Sequence, residues 1–243
     1  MYLVIIMLGV AAGVVSGIVG TGSSIMLLPG LAFAFGPKAA IPIMAIAAIM
    51  GNVSRVLMWR KDIHLRAFLW YTLPGIPAAV LGANTLWIMP ATLSNLCIGL
   101  FFLALIPVRR WANARALTLN DIQLALAGAL IGYLTGIVFS TGPLTLPLFA
   151  GYGLIKGALL STEAAASFAI YLAKASAFGA IGALPQSVMT NGLMVGFTLV
   201  AGVYIGKRFM LKISVNAFDR LIDAMMLTAG AAMVWDALQK MNS

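Results

Sequence analysis

The sequence predicts an all-α polytopic membrane protein organised as an inverted repeat, each half a re-entrant broken helical hairpin followed by three transmembrane helices. Three observations predict it. Hydrophobic residues make up 62% of the 243 and charged residues only 9%, in several apolar stretches of about the 20 residues that a bilayer crossing needs. Two runs of small polar residues interrupt apolar segments: Gly20-Thr21-Gly22-Ser23-Ser24, followed by Leu28-Pro29, and Ser140-Thr141-Gly142-Pro143, followed by Leu146-Pro147. Basic residues gather in short connectors that alternate with uncharged ones, which marks the two sides of a membrane. Residues 1–115 and 116–243 are read as the two halves of a single integral membrane domain.

In chain order, the first half begins with an apolar helix to about Val19, the first break, and a short piece from about Ser24 to Phe35. Apolar segments near 39–60, 66–88 and 92–109 follow, and the polar stretch from Arg109 to Leu119 closes the half. The second half repeats this layout with a helix near 121–139, the second break, a short piece at 143–154, and segments near 157–183, 188–206 and 217–237. Gly17-Ile18-Val19 precedes the first break and Gly136-Ile137-Val138 the second, and in the same register Lys38 corresponds to Lys156 and Arg55 to Lys174. Gly82 and Gly202 fall at matching places as well, where small residues serve close helix packing.

Loop charge orients the chain. Arg60, Lys61 and Arg66 mark one cytoplasmic connector, Arg109, Arg110 and Arg115 a second, and Lys207, Arg208, Lys212 and Arg220 a third, whereas Met89-Pro90 and Leu184-Pro185-Gln186-Ser187 carry no charge. With one crossing per long segment, the first broken unit starts and finishes outside and the second inside, so each dips into the membrane with its break at the tip. An alternative count, in which the first helix crosses fully and the short piece returns, changes the parity of each half. The dozen residues after each break are short for a span.

Composition excludes several classes. The formal net charge of +9 lies in short loops beside apolar spans rather than along an extended basic face, which argues against a nucleic-acid partner. The lone Cys97 rules out an intramolecular disulfide, and the lone His64 leaves no paired-histidine metal site and no membrane serine hydrolase. No cofactor, metal or enzymatic activity is expected. Met1-Tyr2-Leu3-Val4-Ile5 carries no basic region and no small-residue cleavage site follows, so the N-terminus is read as structure. Membrane lipid is the expected surrounding, and no oligomeric state follows from one sequence.

The breaks carry the functional expectation. Unpaired backbone in hydrocarbon costs several kcal/mol per group, so irregular chain there lines protein or a cavity. Paired interruptions in the two halves point to a binding site at their junction. Bare amides and hydroxyls at Gly20, Thr21, Gly22, Ser23, Ser24, Ser140, Thr141 and Gly142, with a helix starting just beyond, favour an anion.

Arg55 and Lys174 are cations inside predicted crossings, a costly placement that normally requires a cavity or a partner. Arg suits bidentate grip on an oxyanion and Lys a compact charge; for Arg55 the bland alternative is snorkelling to the headgroups. Asn52 and Tyr171 stand one turn before these cations and are candidate donors. Glu163 is the one acid well within a crossing, a candidate for proton coupling or, more simply, a pair with Lys156 two turns away. Asp219 and Asp223 beside Arg220, and Asp62 in its loop, are read as local charge balance.

The two Gly/Ser/Thr breaks each followed by Leu-Pro, the inverted halves, and the small-residue segment Ala164-Ala165-Ala166-Ser167-Phe168 resemble the TauE/SafE family of sulfite and organosulfonate exporters over essentially the whole chain. Family members usually carry a Gly-rich run at each break, where this chain has added hydroxyls and Pro143. The resemblance implies a secondary transporter of sulfur-containing oxyanions in the cell inner membrane, exporting by alternating access. An anion-selective channel, an uptake permease for another small organic anion, or an accessory membrane subunit are the alternatives.

Overall fold

A computed structural model of the protein describes residues 2–19, 27, 30–31, 34–114, 117–138, 141–209 and 215–242. Among them are nine helices: α1 (Tyr2–Val19), α2 (Pro37–Trp59), α3 (Leu65–Ile88), α4 (Ala91–Ala114), α5 (Asp121–Ile137), α6 (Gly142–Gly151), α7 (Lys156–Ala180), α8 (Gln186–Phe209) and α9 (Val215–Asn242). The first break, Gly20 to Ser24, lies outside the described residues, as does Ser140 of the second.

Three stretches are both long and apolar enough to cross a membrane: Ala39–Leu57, Ala91–Val108 and Gln186–Ile205. The α3 and α7 helices, of 24 and 25 residues, have the length as well, about 36 Å at 1.5 Å per residue. They fall short on hydropathy because they trade aliphatic residues for polar and small ones, among them Thr72, Thr85, Glu163 and Lys174. This is an all-helical membrane protein.

Local chemistry sets the helix ends. Asn120 opens α5 with a reciprocal capping box: its side chain accepts from the Gln123 amide at 2.9 Å while the Gln123 side chain accepts from the Asn120 amide at 3.0 Å. His64 opens α3, its Nδ1 accepting from the Ala67 amide at 3.2 Å. Pro37 sits in the first turn of α2, where its missing donor costs nothing. Gly153, at φ +97° in the turn between α6 and α7, adopts a conformation that a side chain would strain.

The helix pairings follow a pattern. The α3 helix packs on α5 as α1 packs on α8, and α2 packs on α8 as α7 packs on α3; α2 meets α7, and α4 meets α9. Exchanging α1, α2, α3 and α4 with α5, α7, α8 and α9 maps this set onto itself. Glycine makes the two closest pairings possible. A Cβ on Gly82 would stand 2.2 Å from the Tyr133 carbonyl oxygen, and one on Gly202 would stand 2.3 Å from that of Val10. Contacts rise together along both chains, Gly128 on Tyr71, Gly132 on Gly75 and Gly136 on Gly82, so α5 runs parallel to α3.

Both ends of the α5–α6 unit emerge together. The Leu119 amide donates to the Gly151 carbonyl at 2.9 Å, and the Tyr152 hydroxyl donates to Asp121 Oδ1 at 2.5 Å. That bond pushes the Tyr152 pKa above its ordinary value. Arg66 donates to the same carboxylate from Nε at 3.1 Å, and the His64 amide donates to Thr162 Oγ1 at 2.9 Å. These links gather the starts of α3, α5 and α7 at one end of the bundle, which we call the basic end. Asp223 accepts from Arg110 Nε at 2.9 Å and Nη2 at 2.6 Å, tying α9 to α4.

Candidate functional site

The site is built on one face of α7. Glu163, Ser167, Tyr171 and Lys174 follow at spacings of four, four and three, which places them in one stripe along a helix. The stripe runs about 16 Å from Glu163 to Lys174. It faces α2, α3 and the hairpin α5–α6.

At its lower end, Glu163 is 1% exposed and gains its counter-charge from another helix. Arg55 Nη1 donates to Glu163 Oε2 at 2.9 Å, with the Arg55 side chain only 11% exposed. The other oxygen, Oε1, accepts from Ser167 at 2.7 Å and from Thr145 at 3.2 Å, the Thr145 hydroxyl also reaching the Gly142 carbonyl at 2.9 Å. Arg55 Nη2 donates to Asn52 Oδ1 one turn earlier on α2. The counter-charge of Glu163 comes from Arg55, across the helix interface; the side chain of Lys156, the partner expected from the sequence, lies outside the described residues. Snorkelling of Arg55 is replaced by an inward-facing pair. Breaking a pair so buried costs about 3–5 kcal/mol, because the survivor is left as an uncompensated charge.

At the upper end, Lys174 is 1% exposed. Its ammonium donates to the Thr135 carbonyl at 2.6 Å and the Val138 carbonyl at 2.7 Å, and lies 5.7 Å from the Phe178 ring centre. Those carbonyls belong to the last turn of α5 and its cap, where the break leaves acceptors without helical donors and the helix dipole is negative. A lysine at that point meets both requirements. Thr135 donates to the Ile131 carbonyl at 2.7 Å, so the 2.5 Å contact between the Thr135 and Thr141 hydroxyls is a bond donated by Thr141. Gly142 begins α6, one residue earlier than the sequence suggests.

Of the sequence-predicted residues, the structure therefore brings Asn52, Arg55 and Glu163 into one cluster, and Thr141 and Lys174 into a second. Gly142 joins the two through the Thr145 bond. Tyr171 is buried on the stripe between them. Gly20, Thr21, Gly22, Ser23, Ser24 and Ser140 lie outside the described residues.

Sequence reasoning missed Thr135, Thr145, Ser167 and Tyr71. The first three had a legible signal, hydroxyls spaced four residues from Thr141, Glu163 and Tyr171 or placed just before a break. Tyr71 had none beyond its position in α3. It is 1% exposed, packs on Phe149 with ring centres 5.0 Å apart, and its hydroxyl has no hydrogen-bond partner among the described residues. It lies within electrostatic reach of Glu163 and Tyr171. No cluster of His, Cys, Asp and Glu able to hold a metal occurs among the described residues.

A family model described as sulfite exporter TauE/SafE matches residues 5–233. No curated protein and no solved structure matches the chain. The match covers the chain almost end to end, and the protein belongs to the TauE/SafE family of sulfite exporters.

Proposed function

We propose that this protein is a secondary transporter that exports sulfite or an organosulfonate across the cell inner membrane by alternating access. The observation that carries the proposal is the polar stripe of α7, where Glu163 and Lys174 lie buried beside the second break and Glu163 pairs with the half-buried Arg55 of α2. Membrane proteins place such groups where a charged solute or proton must pass. Amides and hydroxyls of Gly20 to Ser24 and of Ser140 to Gly142 bind the oxygens of the anion, and Asn52 and Tyr171 add donors.

In this mechanism Glu163 is the internal occupant of Arg55. An entering oxyanion competes for the guanidinium, whose planar fork matches two of its oxygens. The displaced carboxylate loses its counter-charge and becomes the acceptor for a proton moving with the anion. The exchange symmetry of the helix pairings supports an inverted repeat, in which rocking of one half on the other opens the site alternately to each side.

The test is flux of sulfite and of a short alkylsulfonate from proteoliposomes. Saturable, counterflow-stimulated transport is the expected result, and single-channel currents overturn the carrier reading. Glu163→Gln is expected to retain anion binding but lose the pH dependence of flux. The double variant Arg55→Gln with Glu163→Gln removes both charges together, so it is expected to fold and to lose anion binding. Unaltered affinity in it removes Arg55 from the site.

A further inference from the structure

His64, the one histidine of the chain, opens α3 from an exposed position at the basic end of the bundle. Helix starts are usually capped by Ser, Thr, Asp or Asn, whose side-chain oxygens accept from an amide of the first turn. The His64 imidazole does this work through Nδ1, which accepts from the Ala67 amide at 3.2 Å. A ring nitrogen accepts only while it carries no proton, so this cap exists in the neutral form alone, with the hydrogen on Nε2. We propose that His64 is a proton-operated latch: gain of a proton at Nδ1 releases the start of α3 and loosens the connector that joins α2 to α3 and leans on α7.

The connector is a joint rather than a free loop. The His64 amide donates to the hydroxyl of Thr162, the residue before Glu163, and Asp62 lies so close to the first turn of α7 that a Cβ on Gly157 would clash with its carboxylate. The His64 ring meets the Tyr152 ring edge-on, centres 6.0 Å apart, and Tyr152 in turn bonds Asp121, which Arg66 also holds. Protonation acts on this joint twice. The amide of the fully buried Ala67 loses its acceptor, and a cation arrives at the positive end of the α3 dipole. The charged groups gathered here are Arg60, Lys61 and Asp62 on the connector, Arg66 on α3, Asp121 on α5, and Lys156 and Glu163 on α7. Cations outnumber acids among them, and Asp121 and Glu163 are each bonded to an arginine already, so an imidazolium adds to a surplus of positive charge. The latch is closed at higher pH and opens as pH falls through the range in which histidine takes up a proton, about 5 to 8.

The experiment measures hydrogen exchange of the amides of residues 65–68 in the full protein in phosphatidylcholine nanodiscs, at pH about 8 and about 5.5, each corrected for the intrinsic exchange rate. The parent is expected to lose protection about fivefold at the lower pH, the worth of one N-cap. His64→Asn supplies a cap that takes up no proton, so its protection is expected to hold at the parent's higher-pH level in both buffers; His64→Ser serves where that variant fails to fold. His64→Ala is expected to show the low value in both. Equal protection of the parent at the two pH values, a fall that persists in the Asn or Ser variant, or an Ala variant as protected as the parent at the higher pH overturns the proposal. Glu163→Gln is expected to keep the parent's fall, which separates this latch from the proton coupling proposed for Glu163; loss of the fall in that variant overturns the latch as well. None of these readouts depends on transport, so a failure here leaves the transport reading standing.

Discussion

Lys174 and Arg55 stand at the same place in their helices, eighteen residues into α7 and α2, yet they face different partners. The Arg55 fork pairs with a carboxylate, while the Lys174 ammonium binds backbone carbonyls that the break sets free. Lys174 therefore stabilises the end of α5. Lys174→Ala is expected to lower the melting temperature in detergent, by a loss on the order of 1–3 kcal/mol for each buried carbonyl left unsatisfied. An unchanged melting temperature contradicts that role. Tyr71 makes the opposite prediction. Deleting a buried hydroxyl with no partner among the described residues costs the fold nothing, so Tyr71→Phe should melt no lower than the parent. If its hydroxyl serves the site beside Glu163, the same variant binds sulfite more weakly in a calorimetric titration; unchanged affinity assigns Tyr71 to packing. Arg55, Lys174 and Glu163 were legible in the sequence because charge is rare within apolar segments. Their partners were not, because a pair such as Arg55 and Glu163 spans 108 positions and only folding brings it together.

Among the elements, the glycine-lined crossings do most to fix the bundle. Where α3 meets α5 and α1 meets α8, backbone touches backbone, and the positions that permit it are Gly82 against Gly136 and Gly202 against Gly13. The matching of Gly82 with Gly202 was visible in the sequence and their packing role follows from the geometry. Gly82→Ala places a methyl group against the Tyr133 carbonyl, and Gly202→Ala places one against that of Val10. A carbonyl in a packed helix cannot swing away as a side chain can, so the helices must separate. Each variant is expected to lose about 1–3 kcal/mol, the usual cost of overpacking, read as a lower melting temperature. Gly51→Ala is the control, since a Cβ there meets nothing within 4 Å. Equal melting temperatures for all three would show that the crossings are not tight. The capping box at Asn120 was readable as Asn-x-x-Gln but was passed over, since hydrophobic patterning dominates so apolar a chain. The paired ends of the α5–α6 hairpin rest on Tyr152, Asp121 and Arg66, whose meeting no local pattern announces.

For the whole molecule, the sidedness of the charges joins sequence to structure. Two of the connectors identified as basic in the sequence meet at one end of the bundle: Arg66 reaches Asp121, Arg110 reaches Asp223, and the stretch before α5 bonds the end of α6. The uncharged turns at Met89-Pro90 and Leu184-Pro185 close the other ends of α3 and α7. A transporter that opens alternately to two compartments needs this polarity fixed, because the positive-inside bias orients the whole bundle rather than single helices. The orientation is tested with Cys97→Ser as background and single cysteines introduced as Lys61→Cys and Gln186→Cys, both at exposed positions. A membrane-impermeant maleimide applied to intact cells is expected to label the position 186 variant and to reach position 61 only after permeabilisation. The reverse pattern would invert the topology and place the opening of the α5–α6 hairpin on the outer face. Labelling of both in intact cells would mean that the chain inserts in two orientations. Export would then need a driving force that selects one of them.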